Sequence, residues 1–353
     1  MIITLTKEEN KHYDRHLILE EIGKSGQLKL KQAKVLVIGA GGLGCPVLQY
    51  LAAAGVGTLG IIDDDVVTQS NLQRQILYTI DDIGCSKAKI AAKRLSRLNP
   101  FIAFNVYNEK LTRENALSLF RCYDIIVDGS DNFSTRYLTN DAAVLAKKPL
   151  VYGAIFKFEG QLSVFNYQDS ATYRCLYPSP PKPEDAPNCS QIGVLGVLPG
   201  IIGSLQANET IKIICGIGTL LTNKLLIYNV LTMHQIVLNF EKDFRNNVVD
   251  IEQDYDFFCG VAIKKDVSFE ELSIHKEEYN LLDVREDWER DEFNIGGQHI
   301  PIAELLLRVH EVYTDKVVVV YCKTGVRSAR AIDILIQNNF PTTLLNLKGG
   351  CFQ

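Results

Sequence analysis

What this 353-residue sequence lacks removes several classes of protein at once. There is no broad excess of positive charge: 37 Lys and Arg stand against 42 Asp and Glu, a net charge of −5, so no basic field invites nucleic acid or anionic lipid. No signal-peptide core opens the chain, because Met1–Asn10 mixes charged and apolar residues. No apolar run is long enough to cross a bilayer. The stretch Ala186–Asn208 carries no charge, but Pro187, Pro199 and four glycines interrupt it. There is no internal repeat and no low-complexity tract. Nine cysteines, an odd number without a secretory signal, fit a reducing compartment. The expectation is a cytoplasmic protein with neither nucleic acid nor membrane as partner.

What is present is ordinary globular material, 46% hydrophobic and 22% charged. At roughly 150 residues per domain the length predicts two domains. Short β-branched runs (Val35–Ile38, Leu59–Ile62, Ile125–Val127, Leu150–Ile155) alternate with helical patterns at Leu43–Ala54, Ser86–Leu98 and Thr135–Lys147, which predicts an α/β fold with a parallel sheet covered on both faces. From Gly160 to Phe240 strand-like pieces surround one Gly-rich helix near Leu198–Ile214. Lys242–Lys265 is polar and aperiodic, and a second α/β pattern follows: strands at Tyr279–Val284, Val317–Tyr321 and Thr343–Leu347, with a helix at Ala329–Gln337. The expected division is a domain at 1–246, a linker at 247–267 and a smaller domain at 268–353.

Gly39-Ala-Gly41-Gly42-Leu-Gly44 directly follows a strand and opens a helix. Such glycines let backbone approach phosphate while the helix N-terminus offers free N–H groups. Asp63, ending the next strand, suits a ribose. Alone, this fingerprint points to an NAD-dependent oxidoreductase. The residues that follow do not. Arg74 and Lys87 add cations, and Asp131 and Asn132 close a further strand. Hydride transfer needs no such surplus, whereas attack of a carboxylate on the α-phosphate of ATP brings two anions together and does. Asp131 can hold Mg²⁺, and a carboxylate nucleophile needs no general base.

With these stretches, and with His12–Arg15, Leu51–Gly57, Asp63–Asp65, Ser70–Gln75 and Gly193–Glu209, residues 1 to about 246 resemble the bacterial E1-like adenylyltransferases of the MoeB/ThiF family. The resemblance implies a Rossmann-like domain with a mixed sheet that adenylates the C-terminal Gly-Gly carboxylate of a ubiquitin-like sulfur carrier. It implies ATP contacts from Gly39, Gly41, Gly42, Gly44, Asp63, Asp65, Ser70, Asn71, Leu72, Gln73, Arg74, Lys87, Asp131 and Asn132. Arg15 is implied to reach the neighbouring subunit's γ-phosphate across a homodimer. Cys189, after a Pro-rich lead-in, stands where sulfur-relay members keep a reactive thiol. Such members usually bind zinc through two Cys-x-x-Cys pairs. Here the pairs read Thr172-Tyr-Arg-Cys175 and Asp256-Phe-Phe-Cys259, a degenerate set from which no tight structural zinc is expected. Cys45, Cys85, Cys122 and Cys215 read as small packed residues.

Cys322-Lys323-Thr324-Gly325-Val326-Arg327 joins a hydrophobic strand to a helix, the setting in which backbone N–H groups and an arginine lower a thiol pKa. This segment, with Asp283–Arg285 and Lys348–Gly350, resembles the rhodanese family. Its short loop implies a persulfide-carrying sulfurtransferase rather than a phosphatase-like relative. Gly349-Gly350 reads as a turn rather than a carrier-like tail. The chain stops at Gln353, where rhodanese domains continue through an apolar-aromatic segment and a helix, so a shortened domain is expected.

The expectation is therefore an adenylyltransferase fused to a sulfurtransferase. The favoured carrier is the small subunit of molybdopterin synthase, the alternative the thiamine-pathway carrier, and a cysteine desulfurase is a plausible sulfur source. From other classes, an oxidoreductase or an idle carrier-binding scaffold remains.

Overall fold

Five strands, all but β3 rich in Val, Ile and Leu, open the larger sheet: β1 Lys34–Ile38, β2 Thr58–Ile62, β3 Ala103–Tyr107, β4 Ile125–Asp128 and β5 Leu150–Phe156. In this computed structural model, which describes residues 4–181, 193–259, 265–338 and 340–351, they pair in parallel in the order β3-β2-β1-β4-β5. Then β6 Glu159–Phe165, β7 Lys224–Asn229 and β8 His234–Asn239 extend the sheet antiparallel. The result is a mixed eight-stranded sheet. β1, β2, β4 and β5 fit the α/β alternation and are buried over most of their length; β8, exposed throughout, ends the sheet.

Strand order reverses at β1, which lies between β2 and β4. Such a switch point leaves a crevice outside the carboxyl ends of the strands, where ligands bind in open α/β sheets. Two helices face this end. Gly44–Ala54 is buried over most of its length, and Val197–Cys215 packs against it and against β5. A side chain at Gly203 would run into the Leu43 carbonyl and Pro46, so a glycine there lets the two helices meet.

The described residues separate into two compact units, dividing between Tyr255 and Asp256. In the first, part of the stretch read as linker is packed. Ile251 and Tyr255 are buried, and the Tyr255 hydroxyl donates to Asp141 at 2.7 Å. In the second, β9 Lys265–Val267, β10 Tyr279–Asp283, β11 Gln298–His299, β12 Val317–Tyr321 and β13 Leu344–Leu347 form a parallel sheet ordered β11-β10-β12-β13-β9. Thus Lys265–Val267 of that linker stretch is an edge strand. Successive residues of a strand face opposite sides: Val318, Val320 and Cys322 join one core, Val319 and Tyr321 the other. The helix Val326–Gln337 begins three residues earlier than the sequence pattern indicated, directly out of the cysteine loop. Among the described residues no helix is long and apolar enough to cross a membrane.

Candidate functional site

The glycine loop leaves β1 at Gly39, whose φ of +83° and close approach to the Gly129 carbonyl exclude a side chain. That approach sets the end of β1 against the end of β4. Gly41 is open: a Cβ there would meet only the Gln75 amide at 3.5 Å. Beside Gly42 lie Pro199 and the Arg74 stem, so the loop, the Ser70–Gln75 segment and the start of the Val197–Cys215 helix converge. Arg74 Nη1 donates to the Ser70 carbonyl at 3.1 Å, arching the guanidinium over the loop. Asn71 caps its own short turn, accepting from Thr68 N–H at 3.2 Å. Leu72 packs partly buried on the core, and the Gln73 carbonyl abuts Gly196.

Asp63 accepts from Ala40 N–H at 2.7 Å and from Asp65 N–H at 2.8 Å. Each carboxylate oxygen keeps a lone pair for a hydroxyl. Burial pushes its carboxyl up, against the pull of the Ala40 N–H and Lys87. Lys87 is buried, and its ammonium is held by exposed Asp65 at 2.7 Å. Tyr78, which the sequence reading passed over, ties the Lys87 helix to the glycine loop through its hydroxyl on the Ala40 carbonyl at 2.8 Å.

Asp131 is exposed and makes no hydrogen bond or ion pair to the described residues. Asn132 caps the Phe133–Ala146 helix, accepting from Thr135 N–H at 2.8 Å, which leaves its amide nitrogen for a ligand. Beneath this loop lies a pair that reading the sequence missed. Asp128, wholly buried, accepts from Ser130 N–H at 2.9 Å, and burial pushes its carboxyl up. Arg136 Nε lies 3.9 Å from it, under the ring of Tyr152, and Arg136 Nη2 donates to the Ser130 carbonyl at 3.4 Å. Gln75 Oε1, Asp128 Oδ2, Ser130 Oγ, Arg136 Nε and Gln206 Oε1 are buried without a hydrogen-bond partner among the described residues. Orphans gathered at one strand end fit a site completed by water or ligand.

Arg15 is not brought to this loop; its side chain is 89% exposed, 3.9 Å from Asp14. Cys189 lies outside the described residues. Cys175 accepts from the N–H groups of Thr172 at 3.4 Å and Asp243 at 3.3 Å, and Cys259 is buried. Cys45 and Cys215 are packed as read, but Cys85 and Cys122 are exposed, because both sit in turns just outside a helix and not on its inner face.

In the second unit Cys322 follows β12 and is fully buried. Its sulfur accepts from Gly325 N–H at 3.2 Å and Ser328 N–H at 3.3 Å, and the Ser328 hydroxyl lies 3.4 Å away. Burial pushes the thiol up, yet the Ser328 hydroxyl and the N–H groups of Ser328, Thr324 and Gly325 outweigh it and bring the thiol below its ordinary range. Gly325, at φ +85°, is the bend that turns these donors inward. Arg327 serves two groups: its charge acts on the Cys322 thiol, and it pairs with a carboxylate. Its guanidinium is held by Glu289 through two bonds of 2.5 and 2.6 Å, which keeps the Glu289 carboxyl down at about 2. The direct hydrogen bonds to the thiol come from Ser328 and its neighbours in the turn. Lys323 and Val326 complete the turn, Val326 largely exposed. Gly349 and Gly350 form the turn after β13, with Gly350 N–H on the Leu347 carbonyl.

A switch-point glycine loop ringed by cations, in one chain with a thiol in a nest of N–H donors, defines a nucleotide-using α/β enzyme with a thiol-bearing second domain. The chain belongs to the ThiF family, whose model matches residues 13–248, and residues 268–353 match the rhodanese-like domain. It is 43% identical to a probable adenylyltransferase/sulfurtransferase, MoeZ, of Mycobacterium tuberculosis, over 98% of this chain and 93% of that one. It is 49% identical to a sulfur carrier protein adenylyltransferase of Thermus thermophilus, covering 72% of this chain and 98% of the relative. It is 40% identical to a probable molybdopterin-synthase adenylyltransferase of Porphyra purpurea, covering 98% and 93%. Among solved structures, Escherichia coli MccB with ATP superposes with a TM-score of 0.59 at 22% identity, over 69% of this chain and 75% of that one, a likeness of fold. This chain is an enzyme, an ATP-using adenylyltransferase joined to a sulfurtransferase domain. The oxidoreductase and idle-scaffold readings fall away.

Proposed function

We propose that the enzyme activates the C-terminal glycine carboxylate of a small ubiquitin-like sulfur carrier and then exchanges an oxygen of that carboxyl for sulfur. The first unit, through Tyr255, serves as the adenylation domain and the second, from Asp256, as the sulfur-transfer domain. ATP phosphates lie over the Gly39–Gly44 loop against Ser70–Arg74, Lys87 and Asn132, with the ribose on Asp63. Asp131 holds Mg²⁺, which supplies positive charge to the phosphate oxygens when bound. A single exposed carboxylate suits this ion, which keeps several waters and shares its ligands with substrate phosphates. The carrier carboxylate attacks the α-phosphorus, the bond to the bridging oxygen breaks, and pyrophosphate leaves; Arg74 and Lys87 offset the gathering negative charge. The working unit is a homodimer in which Arg15 of a second copy adds charge at the γ-phosphate; the nearly full exposure of Arg15 and the exposed apolar side chain of neighbouring Ile18 support this.

Cys322 carries a sulfane sulfur, received from a cysteine desulfurase. Its terminal sulfur attacks the acyl carbon and AMP leaves. The Cys189 thiolate then attacks the Cys322 sulfur, so that a Cys189–Cys322 disulfide forms and the carrier departs as a thiocarboxylate. The favoured carrier is the molybdopterin synthase small subunit, as the name of the Porphyra purpurea relative supports; the thiamine-pathway carrier is the alternative.

One observation carries this reading: the low-lying, N–H-cradled Cys322 thiol shares a chain with a glycine loop flanked by Arg74 and Lys87. The test offers each carrier with Mg·ATP and labelled pyrophosphate. Exchange into ATP that depends on the carrier, followed by a mass gain equal to replacement of oxygen by sulfur, is the expected result. No exchange with any Gly-Gly-tailed carrier would overturn it.

A further inference from the structure

Behind the Cys322 loop runs a hydrogen-bonded chain that crosses three elements. The Ser328 hydroxyl, on the helix Val326–Gln337, lies 3.4 Å from the Cys322 sulfur and 2.6 Å from Asn346 Oδ1 on β13. Asn346 Nδ2 donates to Asp266 Oδ1 on β9 at 2.9 Å. Ser328 and Asn346 are buried and Asp266 is exposed. The direction of this chain follows from donor counting. An ionised Asp266 can only accept, so it takes the amide NH₂ and turns Oδ1 toward Ser328. A hydroxyl has one hydrogen, so Ser328 cannot donate to Asn346 and to the sulfur together.

We propose that Asn346, oriented by Asp266, is a positioning residue that competes with the Cys322 sulfur for the single hydrogen of Ser328. This rests on Cys322 being the thiol that carries sulfur. While the thiol is protonated no conflict exists: S–H donates to Ser328 Oγ, which donates on to Asn346. Once the proton leaves, the sulfur is held by the N–H groups of Ser328, Thr324 and Gly325, and the hydroxyl must break a 2.6 Å bond to add a further donor. The competition leaves the sulfur less fully solvated by donors and therefore more reactive for a given charge. Asp266 and Asn346 also line an open pocket of about 470 Å³ beside Thr324, Gly325 and Lys348, so the chain is reachable from solvent. Of the charged groups on the surrounding elements, Arg327 is hydrogen-bonded to Glu289 while its charge also acts on Cys322, and Arg285 is held by Asp283 at 2.7 Å. Burial pushes the Cys351 thiol up, while Lys323, Arg330, Asp333 and Lys348 lie on the loop and pocket rim.

The test is alkylation of Cys322 by iodoacetamide in the full chain across pH, read by mass spectrometry of the Cys322 peptide. Asn346→Leu removes the competing acceptor, so the midpoint falls by about one pH unit, while Ser328→Ala removes the donor and raises it by about as much. Asp266→Ala, at an exposed position, lets the Asn346 amide turn and lowers the midpoint in the same direction, which keeps the test decisive if Asn346→Leu folds poorly. A midpoint that stays or rises in both Asn346→Leu and Asp266→Ala overturns the competition. Persulfide loading of Cys322 from a desulfurase, measured in parallel on the unaltered enzyme, reports on the sulfur-carrying reading alone.

Discussion

At the rim of the first sheet the candidate groups arrive from separate strand ends, whereas around Cys322 nearly all of them belong to one turn, Cys322–Ser328, and its neighbours. The difference follows from the charges each site handles. A buried sulfur anion is small and can be stabilised by a few inward N–H groups, which consecutive residues supply. A triphosphate meeting a carboxylate spreads charge over many oxygens, and no single turn offers enough donors. Hence Arg74 comes from one segment, Lys87 from a helix start and Asp131 from the loop after β4; Arg74 is held by the Ser70 carbonyl and Lys87 by Asp65. A compact site stands or falls with one residue, and a distributed one should degrade by parts.

The largest effect tests the compact site. Cys322→Ala is expected to stop thiocarboxylate formation by at least about a thousandfold while pyrophosphate exchange continues; unchanged thiocarboxylate yield on mass spectrometry would break the relay. Asp131→Ala is expected to reduce carrier-dependent exchange by about a hundredfold to a thousandfold and to leave persulfide loading of Cys322 intact. A third change sharpens the comparison by touching no ligand. Arg136→Met strands the buried Asp128 carboxylate and should destabilise the first unit by about 3–5 kcal/mol in urea unfolding; equal stability would show that the pair does not brace the Ser130–Asp131 loop. Asn132 separates support from contact. Asn132→Ala should lose about 1 kcal/mol with its helix cap, and Asn132→Ser should restore stability, so any exchange defect remaining in the serine variant belongs to the amide. The smallest effect is a pH dependence. The folded Glu289 carboxyl lies below its ordinary value of 4.5, at about 2, so its stabilising pair with Arg327 is complete above the higher value and is lost as pH falls through the lower. Acid unfolding of Glu289→Gln should therefore differ from that of the unaltered chain at pH 5 and converge with it near pH 2; a constant gap would mean the pair does not titrate there.

Legibility in the sequence followed the spacing of the partners. The glycine loop, the strand-end Asp63 and the Cys322–Arg327 loop are local patterns, and each sits at the junction its residues indicated. The strand β3, exposed and without clear alternation, and the edge strand β9 inside a polar stretch left no such trace. Nor did the supporting groups. Arg136 was a helix residue among others until the fold placed it under Tyr152. That Arg327 also pairs with Glu289 left no local trace, because the two stand 38 positions apart. Asn346 and Asp266 stand 80 residues apart and meet only because β13 pairs with β9.

By itself the sequence determined the alternation of strands and helices, the family, and the turns where backbone must approach an anion, since these depend on hydrophobic period and on residues a few positions apart. Tertiary structure alone decided which cation is free and which is paired, and which oxygen receives the Ser328 hydrogen. Those outcomes turn on distances between distant segments, where a few ångströms separate an ion pair from a solvated charge.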